Sequence, residues 1–273
     1  MDQSQQVDVA VGSNSGVNVN LSNGQSEPSG SSLSNFDITN ISDLLELVNG
    51  SVLDTQSWYR GHIDFKWPLL PSVLRETGWQ RAENNMLKRF RQEAAGRATP
   101  KPEDHWDWLS LAQHHRLPTR LLDWSTNPLV GLFFASERDD SDAGAADGAL
   151  FVLDPEALNR TSVGADDVLL LGEDSALDAY LPSSGSVVPM GPVAVVAQQY
   201  FGRLMAQSGV FTLTHHLDWR KLEEVDEIPI VKWRVPLVNK ESIRNELESL
   251  NIDSASVYLD LDHFATRIRK RYL

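Results

Sequence analysis

Apolar residues along this chain alternate between two spacings, and the change of spacing divides it into elements. Ile41, Leu44, Leu45 and Val48 recur at helical intervals behind Asn40, whose side chain suits a helix N-cap. Met86, Leu87, Phe90 and Ala94 mark a second helix from Glu83 to about Gly96, and Trp106, Trp108 and Leu109 a third from Glu103 to His115. Asn127-Pro128 opens a fourth, Leu129 to about Arg138, because proline needs no N–H donor in a first turn. Short aromatic or β-branched runs read as strands: Gln56–Gly61, Gly148–Asp154, Val193–Ala197, Val210–Thr214, Ile228–Val235 and Val257–Leu259. Pro229 places the fifth of these at a sheet edge. Pro155–Leu158 is a short helical piece, Val238–Leu250 a helix, and Leu261–Tyr272 a closing amphipathic helix with basic residues in its last turn. Helices and strands are segregated more than alternating. The expected class is therefore α+β, with one mixed or antiparallel central sheet flanked by helices.

Residues 1–35 are mostly Ser, Asn, Gly and Gln without an aromatic, too little apolar surface to offset ordering entropy. They are expected to be a disordered tail, and 36–273 a single α+β domain. The net charge of −14 is unevenly spread: Met1 to Tyr59 holds no Lys or Arg and seven Asp or Glu. Such a balance argues against non-specific nucleic-acid binding by the body. Arg60, Arg75, Arg116 and Arg120 could still converge on a phosphate. Zero cysteines exclude thiol catalysis and a disulfide scaffold. With no secretory leader and no apolar run near the ~18 residues of a membrane span, the expectation is a cytoplasmic protein without membrane contact.

The polar chemistry is concentrated in Ala112–Ala135, AQHHRLPTRLLDWSTNPLVGLFFA. It reads as a loop between two anchored elements, since Pro118 breaks the helix that carries the histidines. Gln113, His114, Arg120, Asp123, Ser125 and Thr126 lie here. Arg60 ends a strand beside Gly61, which lets a backbone or ligand approach closely. Arg60 could clamp a phosphate or carboxylate in bidentate fashion or serve as an ordinary ion-pair partner, and Arg120–Asp123 could be a structural pair. His114-His115 invites a metal reading with Asp123. Adjacent side chains diverge by about 100° on a helix, however, so no metal site is assigned. His215-His216 reads as surface or satisfied core. GxGxxG, P-loop, GxSxG and HExxH signatures are absent.

Several spaced motifs together resemble the FRG domain family. They are Tyr59-Arg60-Gly61; Trp67 to Arg75 (WPLLPSVLR); Glu83 with Phe90; Ala112 to His115 (AQHH) with Leu117 to Trp124 (LPTRLLDW); Asn127-Pro128-Leu129 with Phe133-Phe134-Ala135; and Arg203 with Gln207, Gly209, Phe211 and Thr212. The resemblance spans about Trp58 to Thr212. It departs at Arg116, where the family often has glycine. It implies a largely bacterial, intracellular protein working in stress or phage defence. A more distant resemblance is to ADP-ribosyltransferase-type folds. By that likeness Arg60 would grip the pyrophosphate of NAD, Ser125 or Thr126 would fix the ribose side, and Gln207 would stabilise oxocarbenium-like charge. Gln207 is a neutral amide and cannot ionise, which leaves transfer, NAD cleavage and binding alone all open. The resulting expectation is a nucleotide-like anionic ligand, with NAD as the candidate. Catalytic candidates are Arg60, His114, Thr126 and Gln207; ligand-binding candidates are Arg60, Gln113, Arg120, Asp123 and Ser125. The alternatives are a non-catalytic sensing or protein-interaction module, and a metal-dependent nuclease or hydrolase built on His114, His115 and Asp123.

Overall fold

The structure is a computed structural model that describes residues 36–50, 56–137, 146–197, 210–218, 220–225 and 230–272. The expected tail, together with Arg203 and Gln207, lies outside them. The chain divides between Ser32 and Leu33, and the described residues all belong to the second unit.

The class is α+β, but two sheets replace the single expected one. The first holds β1 (Trp58–His62), β3 (Gly148–Leu153) and β7 (Ile230–Val235) in the order β1-β3-β7, all antiparallel, so β7 is an edge strand as expected, while Ile228 and Pro229 lie outside the described residues. The second holds β2 (Leu121–Trp124), β4 (Leu169–Leu170), β5 (Val193–Val196) and β6 (Val210–Leu213) in the order β2-β6-β5-β4. Only its β4–β5 pair is parallel. Tyr59 and Ser125 exchange both backbone hydrogen bonds, at 2.7 and 2.8 Å, and stitch β1 to the end of β2.

Successive strand residues point to opposite faces, and the packing follows that period. Trp58, Ala149, Phe151 and Leu153 of the first sheet meet Leu122, Trp124, Ala194 and Val210 of the second in a shared apolar layer. Tyr59, Leu150, Val152, Trp233 and Val235 face the opposite way, onto α1 (Ile41–Gly50), α4 (Pro128–Ser136) and α6 (Lys240–Ser249). The second sheet's outer face meets α2 (Trp79–Ala94) and α3 (His105–His114) through Leu87, Trp106, Trp108 and Leu109. The order is thus helix, sheet, sheet, helix. All six residues of β3 are buried, which accounts for its unbroken apolar sequence rather than an alternating one.

Local chemistry sets most boundaries. Asn40 and Asn127 accept N–H groups of Asp43 and Leu129 at 3.1 and 2.9 Å, capping α1 and α4 as their sequences predict. Leu45 is an error of the helical reading: it is exposed, and Leu47 packs inward in its place. The piece at Pro155 extends to Val163 as α5, closed by Gly164 at φ 70°. Val257–Leu259 is not a strand. Asp253 and Ser256 form a capping box that starts α7 (Ser254–Tyr258), and Leu259 ends it at φ 50°. The final helix, α8, spans Leu261–Lys270.

Helix α4 lies unusually close to β1. A Cβ on Gly61 would overlap the carbonyl of Gly131 and the amide of Ala135, and one on Gly148 would overlap the carbonyl of Ala135. A Cβ on Gly131 would fall 2.7 Å from Leu150 Cδ1. Gly61 is therefore required for the approach of another backbone. The same helix buries Val130, Leu132 and Phe133, each contributing roughly 1.5–3 kcal/mol.

Candidate functional site

The stretch read as a polar loop contains a strand. Leu121-Leu122-Asp123-Trp124 pairs with Val210–Leu213, because alternate members can bury Leu121 on one face and Leu122 with Trp124 on the other. This strand and β1 hold the floor of a cleft of about 450 Å³, walled by the last turn of α3 and by α4. Arg60, Gln113, His114, Asp123 and Ser125 line it, together with Arg75 and Arg116. Tyr59, Leu117, Phe134 and Phe211 supply its apolar walls.

Arg60 is the most constrained of these. Its Nη1 donates to the backbone carbonyl of Asp123 at 2.6 Å and its Nε to His62 Nε2 at 2.9 Å. Among the described residues no carboxylate stands within ion-pair distance of its guanidinium. Burial lowers its pKa to about 10; Asp123 opposes the shift and Arg75 adds to it. His62 is the support that sequence reasoning passed over. It lies two residues from Arg60 on one strand, so both side chains share a face, and that spacing alone could have found it. Its Nδ1–H donates to the Trp67 carbonyl at 3.3 Å while Nε2 accepts from Arg60, an arrangement that only the neutral ring can make. Burial and the neighbouring Arg60 push its pKa down to about 3.

Among the described residues Asp123 is the only acidic one lining the cleft. Its Oδ2 accepts from Gln113 Nε2 at 2.7 Å, and Gln113 Oε1 in turn accepts from Thr119 Oγ1 at 2.5 Å. The carboxylate is thus aimed by two linked side chains, Gln113 of the last turn of α3 and Thr119 beyond it. His114, the last residue of α3, stands between this cleft and a second cavity of about 450 Å³ beside Phe90, Ala94, Ala98 and His115. Arg116 adopts φ 62°, a left-handed conformation that favours glycine. That gives a physical reason for glycine at the corresponding place in the resembling family.

Four arginines were expected to be able to converge; three line the cleft. Arg120 faces the other way. Its backbone N–H and Nε donate to Glu83 Oε1 at 3.0 and 3.2 Å, and Nη1 donates to the Tyr180 carbonyl at 2.7 Å. The guanidinium and Glu83 are almost wholly buried, 3% and 8% exposed, with Nε 3.0 Å from Oε2. The proposed Arg120–Asp123 pair is therefore replaced by Arg120–Glu83. A residue on a strand beside a helix can reach either side, and sequence spacing does not choose. Thr126 is exposed and does not line the cleft, whereas Ser125 is buried in its wall and accepts from the Asn127 N–H at 3.1 Å. Among the described residues no three His, Asp or Glu side chains cluster as metal ligands, so His114, His115 and Asp123 do not form the trio that a metal reading needs. His215 is satisfied core: Nε2 lies 3.1 Å from the Ala179 carbonyl, and Nδ1 accepts the Leu217 N–H at 3.2 Å. No described helix is long and apolar enough to cross a membrane.

The fold is α+β, and among the described residues three arginines and one carboxylate line a cleft walled by α3 and α4. The FRG domain model matches residues 55–144, the segment that runs from before β1 to beyond α4 and carries most of the cleft lining. No curated protein and no solved structure matches the chain.

Proposed function

We propose that the cleft binds a nucleotide-like anionic ligand, NAD foremost. On this reading its ADP-ribose passes to an acceptor or to water as the bond to nicotinamide breaks. The observation that carries the proposal is Arg60. A desolvated guanidinium rests on a carbonyl and a neutral imidazole, with Arg75 adding positive potential, in a chain of net charge −14. A bound phosphate supplies the counter-charge that the protein leaves out, and charge-assisted hydrogen bonds to it are strong in such surroundings. Arg75 and Arg116 flank the same opening, while Tyr59, Phe134 and Phe211 offer apolar surface to a ring. On this reading Ser125 would fix a ribose, and Asp123, hydrogen-bonded by Gln113, would stabilise positive charge developing on the sugar. Gln207, assigned that role by resemblance, remains a candidate beside it.

Binding without chemistry is the second reading. It is favoured by Thr126, which lies exposed outside the cleft and so leaves Ser125 as the one of the two expected hydroxyls that lines it.

The test is thermal melting of the full chain with NAD, ADP-ribose and ATP, followed by assay of released nicotinamide. A hundredfold excess over the dissociation constant should stabilise the protein by ~2.7 kcal/mol. Arg60→Met should abolish that shift, and nicotinamide release by the unaltered protein would establish an enzyme. Unchanged melting with all three ligands would overturn the proposal.

A further inference from the structure

Helix α8 carries an apolar stripe on the side turned away from the body. Leu261, Ala265 and Ile268, continued by Tyr272 in the following turn, recur at intervals of four, three and four residues. That spacing is the a/d seam of a coiled coil. Leu261, Ile268 and Tyr272 are 84%, 57% and 86% exposed. His263, Phe264, Thr266 and Arg267, which lie around the other side of the helix, are half-buried. His263 stacks on Tyr258 with ring centroids 4.5 Å apart, and Arg267 reaches Asp253 at 3.6 Å. The packed face is thus already occupied, and the exposed seam is a second face.

Charge placement selects what the seam fits. Asp262 and Arg269 are seven residues apart, both exposed, and lie on the same flank of the stripe. In an antiparallel pair of identical helices the same flanks meet. Asp262 of one copy then lies beside Arg269 of the other, and the symmetry repeats the pair. The small side chain of Ala265 falls near the twofold axis, where close approach is needed, and Leu261 sits against Ile268 and Tyr272. A parallel pair would instead bring Arg267, Arg269, Lys270 and Arg271 of both helices together.

We propose that α8 is a self-association surface through which a second copy of this chain docks as an antiparallel, two-fold symmetric helix pair. The seam is only about three turns long, so the dimer is weak and forms as concentration rises.

Sedimentation equilibrium of the full chain over a wide concentration range tests this. The unaltered protein should move from monomer towards dimer, and Ile268→Asp should stay monomeric throughout. Arg269→Asp should weaken association by about tenfold or more, since two attractive pairs become repulsive. Adding Asp262→Arg to it should restore association. These positions are exposed, so circular dichroism and melting should match the unaltered chain. A monomer at every concentration would overturn the proposal, and so would a dimer indifferent to Ile268→Asp. Binding of the monomer to anionic vesicles through α8 without self-association would overturn it too, assigning the seam to a membrane.

Discussion

Arg60 sits in the middle of β1, which runs past the end expected for it, and is half-buried, whereas Arg120 is fully buried just before β2; their polar surroundings differ as well. Arg120 has a carboxylate: Glu83 meets it in the interior, and the pair closes on the Tyr180 carbonyl. Among the described residues Arg60 donates to neutral acceptors, His62 and a backbone oxygen, while the nearby Asp123 carboxylate is held by Gln113. A buried charge that is fully answered by the protein is architecture. One answered only in part keeps its affinity for whatever anion enters. If the proposed function holds, the contrast separates a structural arginine from a binding one without recourse to motif.

The sharpest way to break that contrast is to remove the answer from Arg120. Glu83→Ala should cost about 3–5 kcal/mol, read from chemical denaturation, because it strands a buried guanidinium. Arg60→Met should leave stability far less changed than that. A smaller effect comes from acid. His62 is neutral in the folded protein with its pKa lowered to about 3, and the unfolded chain takes up the proton near 6.5. Its contribution is therefore complete above about pH 6.5 and is lost as pH falls from there towards 3, roughly 2 kcal/mol by pH 5. Denaturation midpoints across that window should flatten in His62→Gln, whose amide can still both accept and donate. The smallest effect belongs to Arg116→Gly. Relief of its left-handed backbone should alter stability by no more than ~1 kcal/mol while weakening anion-dependent melting shifts.

Much of the α+β layout was legible because periodicity and caps are local. Asn40, Asn127 with Pro128, and the unbroken GALFVL run each announce an element from their own residues. Leu121–Trp124 escaped notice because four residues beside histidines and a proline look like loop until β6 lies alongside. Val257–Leu259 misled for the opposite reason: β-prone residues yielded to the Asp253 cap before them. The site divided in the same way. Gln113, Asp123 and Arg60 converge as their motifs implied. The choice of Glu83 as partner for Arg120 depends on where α2 packs, a fact that no spacing within either segment encodes. The division into two sheets likewise rests on contacts between distant strands.

The contact of β1 with α4 has a further consequence for how this cleft can change. Its dimensions depend on atoms that are missing, the two absent methyl groups of Gly61 and Gly148, each of which would meet the backbone of α4. A wall located by a side chain can be trimmed or enlarged in small steps. A wall located by backbone resting on backbone has no adjustable spacer, so a single added carbon translates α4 as a rigid block and carries Val130 and Phe134 with it. Variation in what the cleft accepts is thereby channelled to its rim, at Arg75, Arg116 and His114, while the floor beneath Arg60 stays at fixed gauge.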